Sequence, residues 1–158
     1  MVKFILVTCV LVSAFFIFQR MNAGKNAPEN IKLGDVFLAA NATQEGVKIT
    51  ESGLQYVILE KGEGTVHPTA NSHVQVHYHG TLMDGVVFDS SVEREQPISF
   101  GLHQVIAGWT EGLQLMVEGD KFRFYIPSKL AYGKRGVGKI PAGSLLIFEV
   151  ELIKINTL

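Results

Sequence analysis

Residues 74–91 constrain the fold more than any other part of the chain. Two apolar runs flank an Asp-Gly pair at positions 84–85, and this pair favours a tight β-hairpin because such a turn needs a positive φ. The alternation in the first run places Tyr78 on the apolar face, and Asp89 follows Phe88 near the end of the second run. Because polar groups beside aromatic rings need a partner or a purpose, we predict a pocket around Tyr78 and Asp89.

Length and charge exclude several classes of protein. A chain of 158 residues favours one globular domain. The net charge of −1 argues against nucleic-acid binding through phosphate neutralisation. A single cysteine, Cys9, excludes an intramolecular disulfide and a cysteine-based zinc site. The sixteen glycines favour the turns of an antiparallel sheet over a helix bundle.

Residues 4–18 form an apolar run without a charge, flanked by Lys3 and Arg20. As a helix the run would span about 22 Å, short of the roughly 30 Å hydrocarbon core of a bilayer. It favours an uncleaved signal-anchor, because Met21 stands where a cleavage site needs a small residue; a cleaved signal peptide is the alternative. We therefore expect the protein to face the periplasm, either tethered to the membrane through residues 4–18 or soluble after cleavage.

The chain divides into three parts. Residues 1–20 are the signal-anchor or signal peptide, and residues 21–46 form a polar linker with one short helix. Asn30 is the expected N-cap of that helix. The folded domain is expected over residues 47–158.

The folded part alternates like a sheet. Lys121–Ile126 is expected to turn Phe122 and Phe124 inward and Tyr125 outward. A short helix is expected near residues 109–116, because Trp109 and its apolar neighbours recur at helical spacing. These patterns predict an α+β fold in which a curved, mainly antiparallel five-stranded sheet wraps around one short helix. An N-terminal apolar helix, from residues 4–18, precedes it.

Three histidines share one face of the first hairpin strand, and they permit two interpretations. His73, His77 and His79 resemble a metal ladder, but that face is the polar one and no carboxylate or cysteine lies near it in sequence. We interpret them as exposed side chains, with metal storage as a weaker alternative. Ser90 and Ser91 have no nucleophile signature around them, and Gly62-x-Gly64 does not continue as a phosphate-binding loop. We expect neither a metal nor a cofactor.

Six motifs occur in a fixed order: VHYHG at 76–80, FDSS at 88–91, VIAGWTEGLQLM at 105–116, LAYG at 130–133, IPAG at 140–143 and LLIFEVELI at 145–153. Through them, residues 53–155 resemble an FKBP-type peptidyl-prolyl cis-trans isomerase domain. The preceding stretch is similar to the bacterial macrophage infectivity potentiator-like branch. The long dimerisation segment of that branch is almost absent here, so we expect a monomer.

The resemblance implies an FKBP-like fold and an enzyme that rotates X-Pro bonds in exported proteins, by desolvation and positioning in an aromatic pocket. Its partners would be proline-containing polypeptides and the macrolide inhibitors of the family. It assigns catalytic polar groups to Tyr78, Asp89 and Tyr132. From its own chemistry, the Asp89 carboxylate is expected to bind a tyrosine hydroxyl or a nearby arginine such as Arg94. The implied substrate-binding residues are Phe88, Ile98, Phe100, Val105, Ile106, Trp109 (the floor), Ile140 and Phe148. The alternative is a membrane-tethered, non-catalytic chaperone or peptide-binding module on the same fold.

Overall fold

The computed structural model describes residues 27–156, so the predictions for residues 4–18 lie outside the described residues. Its helices and strands follow in chain order: α1 (Ala27–Asn41), β1 (Lys48–Ile49), β2 (Gln55–Glu60), β3 (His73–Leu82), β4 (Val87–Ser90), β5 (Ile98–Gly101), α2 (Ala107–Leu113), β6 (Lys121–Ile126) and β7 (Leu146–Asn156). Short 3₁₀ helices cover Leu102–Gln104 and Ser128–Leu130. From residue 27 to residue 156, no helix combines the length and the apolar character needed to cross a membrane.

The strands form one antiparallel sheet in the order β1-β2-β6-β7-β3-β4. β7 pairs with β3 along its length, and on the opposite edge β5 pairs with residues 73–76 while β4 pairs with residues 79–81. The predicted α+β fold with an antiparallel sheet is therefore confirmed. The described sheet has seven strands rather than five. Two short strands, β4 and β5, pair with different parts of one edge of β3, and β1 is a strand of only two residues.

The hairpin has the predicted turn and phase. Gly85 adopts a φ of 83°, and the amide of Leu82 donates to the Val86 carbonyl at 2.9 Å. Val74 and Val76 are fully buried, and Tyr78 is 6% exposed. The hairpin therefore brings the Tyr78 ring into the core from one side.

Helix α2 packs closely on the sheet because two of its seven residues are buried glycines. A Cβ atom at Gly108 would lie 2.5 Å from the Ile126 side chain, and one at Gly112 would lie 2.6 Å from the Phe124 ring. These glycines let Trp109 and Leu113 on the same helix reach the core.

Gly112→Ala is expected to lower the free energy of unfolding by about 1–2 kcal/mol, although alanine is the better helix former. The helix-propensity gain of up to about 1 kcal/mol is smaller than the cost of displacing a packed ring, about 1–3 kcal/mol. Urea denaturation of the variant measures the difference. Gly34→Ala in α1 is the control, because its Cβ would meet Leu145 only at 3.3 Å. A Gly112→Ala protein at least as stable as the control would contradict the tight contact with Phe124.

Helix α1 covers part of the other face of the sheet. Phe37 packs against Tyr125 with ring centroids 5.9 Å apart. Tyr125 points outward as predicted, but it is only 9% exposed because this helix covers it. The prediction that Asn30 caps the helix is wrong: Asn30 lies inside α1, and its Nδ2 donates to the Ala142 carbonyl at 2.8 Å.

His73, His77 and His79 point away from α2 and are partly rather than fully exposed. The Nδ1 atoms of His77 and His79 lie 2.9 Å from the Oγ atoms of Ser91 and Ser90. Carboxylates lie near two of these histidines, because Glu151 is the cross-strand neighbour of His77 on β7 and Glu149 is that of His79. Within residues 27–156, no three histidine, cysteine or acidic side chains are grouped so that they could hold a metal ion.

Candidate active site

A cavity of about 610 Å³ opens beside α2, between β4 and the loop that follows β6. Ten of the eleven residues selected from the sequence line it: Tyr78, Phe88, Asp89, Ile98, Val105, Ile106, Trp109, Tyr132, Ile140 and Phe148. These residues come from six separate segments of the chain, which the sheet and α2 bring together. An apolar cavity with a few polar groups is typical of a small-ligand or peptide-side-chain site.

Aromatic rings in mutual contact form the inner end of the cavity. Trp109 is 5% exposed, and its ring centroid lies 5.2 Å from that of Tyr78 and 5.1 Å from that of Phe148, both edge to face. Phe88 packs edge to face on Phe148 at 5.2 Å. Edge-to-face pairs at these distances are favourable beyond their buried area, so the rings stabilise one another in the wall of the cavity.

Phe100 is the exception among the selected residues. Its side chain does not line the cavity but packs on the Trp109 ring, with centroids 5.4 Å apart. β5 pairs with residues 73–76 of β3, where Phe100 is the partner of Val74. Phe100 therefore packs against the Trp109 ring and does not form part of the cavity wall.

One hydrogen-bonded network includes two of the polar residues that line the cavity, Tyr78 and Asp89. The Tyr78 hydroxyl donates to Asp89 Oδ2, and Arg94 Nη1 donates to Asp89 Oδ1. Arg94 Nη2 also donates to the Tyr78 oxygen at 3.0 Å, and its guanidinium carbon lies 5.8 Å from the centre of the Tyr78 ring. Asp89 therefore binds both groups that the sequence offered as alternatives, a tyrosine hydroxyl and Arg94.

The network fixes the charge of both acidic groups at neutral pH. Burial and the hydrogen bond to Asp89 raise the pKa of Tyr78 above its ordinary value. Partial burial raises the pKa of Asp89, but the hydrogen bonds from Tyr78 and Arg94 outweigh it and bring that pKa below the ordinary value of 3.8. The cavity thus contains a neutral phenol and an ionised carboxylate across the physiological range.

The Asp89→Asn variant is expected to lose less free energy of unfolding than the parent protein when the pH is lowered. A carboxylate whose pKa is lower in the folded state stabilises the fold above its unfolded pKa, and this contribution disappears as the pH falls through the folded pKa. Urea denaturation at a series of pH values measures the effect: the parent should lose more unfolding free energy than the variant below about pH 4. Parallel curves for the two proteins would show that the network contributes nothing to folding.

The loop after β6 forms the outer rim of the cavity. Tyr132 is 39% exposed there, and within residues 27–156 its hydroxyl has no hydrogen-bond partner, so it remains available to a ligand. Four further lining residues were missed from the sequence: Gln104, Val137, Gly138 and Lys139. The last three reach the cavity because Val137 and Ile140 pair with each other and fold the loop back. Their position between the LAYG and IPAG motifs was the available signal.

Comparison with known proteins identifies the family. The family model for the FKBP-type peptidyl-prolyl cis-trans isomerase matches residues 64–153, and the model for the domain amino-terminal to it matches residues 10–58. The FKBP-type isomerase FkpA of Aeromonas hydrophila is 57% identical over 137 residues, covering 87% of this chain and 51% of that protein. The Legionella longbeachae outer membrane protein MIP is 46% identical over 133 residues, covering 84% of this chain and 57% of that protein.

Solved structures agree with this result. The crystal structure of FkpA from Escherichia coli superposes with a TM-score of 0.80 at 40% identity, over 96% of this chain and 71% of that one. A peptidyl-prolyl isomerase from Pseudomonas syringae superposes with a TM-score of 0.76 at 40% identity, over 84% of this chain and 97% of that one. The chain spans about half the length of the curated relatives described above. It belongs to the FKBP-type peptidyl-prolyl cis-trans isomerase family.

Proposed function

We propose that this chain is a peptidyl-prolyl cis-trans isomerase that binds proline-containing unfolded or exported polypeptides and assists their folding. The observation that carries the proposal is the aromatic cavity with Trp109 at its inner end and the Tyr78–Asp89–Arg94 network at its side. Membership of an isomerase family supports the same conclusion.

Rotation about the X-Pro bond is slow because twisting the bond breaks amide resonance, with a barrier of about 18–20 kcal/mol. Resonance in the planar amide places negative charge on oxygen, which water stabilises. Transfer of the amide into an apolar cavity removes that water and weakens the planar form more than the twisted form, in which charge separation is smaller. A turnover of about 1–10³ s⁻¹ requires the barrier to fall by only roughly 2–7 kcal/mol, and rotation requires neither a covalent step nor a cofactor.

Each group in the cavity has a proposed role in this process. The proline ring would lie against Trp109 and the neighbouring aromatic wall, which excludes water from the amide. The Tyr132 hydroxyl, which has no hydrogen-bond partner among residues 27–156, would donate to a substrate carbonyl and fix the position of the chain. Asp89, ionised and held by Arg94, would bias the amide nitrogen electrostatically.

A protease-coupled assay on a proline tetrapeptide tests the proposal. Catalytic amounts of the protein should accelerate conversion of the cis peptide, and a macrolide inhibitor of this family should abolish the acceleration by filling the cavity. An acceleration that the macrolide leaves intact would place catalysis elsewhere, and no acceleration would reject the enzymatic function.

We also propose that the protein is a monomer whose folded part lies in the periplasm, tethered to the membrane through residues 4–18. The apolar run supports export, and the Legionella longbeachae relative is named an outer membrane protein. Fractionation combined with protease access from the periplasmic side is expected to find the protein accessible and in the membrane fraction. Recovery from the cytoplasmic fraction would reject export, and a soluble periplasmic form would reject only the tether.

Sedimentation of the purified protein tests the oligomeric state, and we expect the mass of one monomer.

A further inference from the structure

Residues 132–143, which we call the rim loop, include five of the residues that line the cavity: Tyr132, Val137, Gly138, Lys139 and Ile140. The interior of this loop is held mainly by its own backbone bonds, because Val137 and Ile140 each donate to the other's carbonyl at 2.9 Å. A loop held in this way keeps its place only if its two ends are fixed.

Helix α1 holds the C-terminal end of the rim loop. Asn30 is 6% exposed, and its Nδ2 donates to the carbonyl of Ala142 at 2.8 Å. The next residue, Gly143, has a φ of 76°, and a Cβ atom there would lie 2.4 Å from the Ala27 carbonyl oxygen. The backbone of α1 thus lies directly on the loop, two to three residues beyond Ile140.

The contact with α1 extends to the other end of the loop. The Gly143 amide donates to the Gly133 carbonyl at 2.9 Å, and Gly133 directly follows Tyr132. The Gly133 amide in turn donates to the Ser128 carbonyl at 2.8 Å. Asn30 therefore anchors the point where the two ends of the rim loop join.

We infer that Asn30 is a positioning residue of the active site, which acts by holding the rim loop, and with it Tyr132 and Ile140, in the conformation that binds substrate. This role rests on the proposed function. Asn30 lies in the part of the chain before the residues that match the isomerase model, so the linker helix contributes to the site. Without its bond the loop occupies the binding conformation for a smaller fraction of the time, and the apparent affinity falls by that fraction.

Asn30→Ala in the full chain tests the role, with Asn41→Ala as the matched control. Asn41 lies at the other end of α1 and also donates through Nδ2 at 2.8 Å, but to Oε1 of Gln55 on β2. We expect Asn30→Ala to lower kcat/KM on a proline tetrapeptide by about 3- to 10-fold, as loss of one hydrogen bond typically does, through a higher KM at nearly constant kcat. Asn41→Ala should stay within about twofold of the parent, because its bond does not touch the loop.

Hydrogen exchange of the Val137 and Ile140 amides gives a readout that does not depend on activity. Exchange at both amides should be faster in Asn30→Ala and unchanged in Asn41→Ala. Asn30→Asp, which keeps the shape of the side chain but cannot donate when ionised, should repeat the effect if the alanine variant does not fold. Unchanged exchange in a folded Asn30 variant, or equal kinetic losses in the Asn30 and Asn41 variants, would overturn the positioning role. A parent protein without isomerase activity would instead refute the proposed function, and the exchange data would still decide whether Asn30 holds the loop.

Discussion

Trp109→Ala is expected to lower the free energy of unfolding by about 3–5 kcal/mol, the usual cost of removing a large buried aromatic side chain. The indole contacts the rings of Tyr78, Phe100 and Phe148, so its loss leaves three aromatic side chains without their common partner. The fraction that remains folded should also lose more isomerase activity than any single polar variant of the cavity. Denaturant unfolding and the protease-coupled assay measure the two effects.

Trp109→Phe is the matched control for this result. In the described part of the chain, the buried Trp109 Nε1 atom has no hydrogen-bond partner, so phenylalanine removes ring area without leaving an acceptor unsatisfied. We expect this variant to fold and to lose no more than about half of the stability lost by Trp109→Ala. Equal losses for both substitutions would show that the indole itself, rather than an aromatic ring at this position, is required.

Asp89→Leu and Tyr132→Phe are each expected to lower kcat/KM by about 3- to 30-fold without unfolding the protein. Tyr132→Phe removes only a hydroxyl that has no partner within residues 27–156, so stability should not change. Asp89→Leu removes the shared acceptor of Tyr78 and Arg94, but the carboxylate and the guanidinium are both nearly half exposed, and water can replace it.

The control for Asp89→Leu is Glu60→Leu. Glu60 is an exposed carboxylate at the end of β2 and lies outside the cavity. Circular dichroism first shows whether each of the three variants is folded. Measurement of kcat/KM for the folded variants then tests whether Asp89 and Tyr132 contribute to catalysis. Variants of Asp89 and Tyr132 that isomerise at the parent rate would assign these groups a structural role and leave catalysis to the apolar walls alone.

The sequence predicted the parts of the site that depend on local periodicity and on motif order. The alternation along β3 placed Tyr78 inward, and the adjacency of Phe88 and Asp89 predicted the polar edge of the cavity; both are observed. Arg94 could be proposed as a partner of Asp89 because the two residues are only five positions apart, Asp89 in β4 and Arg94 on the connection that follows it. Such short-range relations are visible before any tertiary contact is known.

Features that depend on contacts between distant segments could not be predicted in this way. Asn30 looked like a helix cap, and only the docking of α1 shows that its amide reaches Ala142, 112 residues away. The carboxylate next to His79 comes from Glu149 on β7, which no inspection of the flanking sequence reveals. Phe100 was assigned to the wall through the family resemblance, and only the structure shows that its ring packs on Trp109 and is not among the residues that line the cavity.

NMR exchange spectroscopy on a proline peptide at equilibrium tests the central proposal most directly, because it observes rotation without a coupled protease. Substoichiometric protein should increase the rate of exchange between the cis and trans signals, and saturation with a macrolide inhibitor should return that rate to the uncatalysed value. A peptide whose signals shift on binding while its exchange rate stays at the uncatalysed value would contradict catalysis and identify the cavity as a site that only binds peptides.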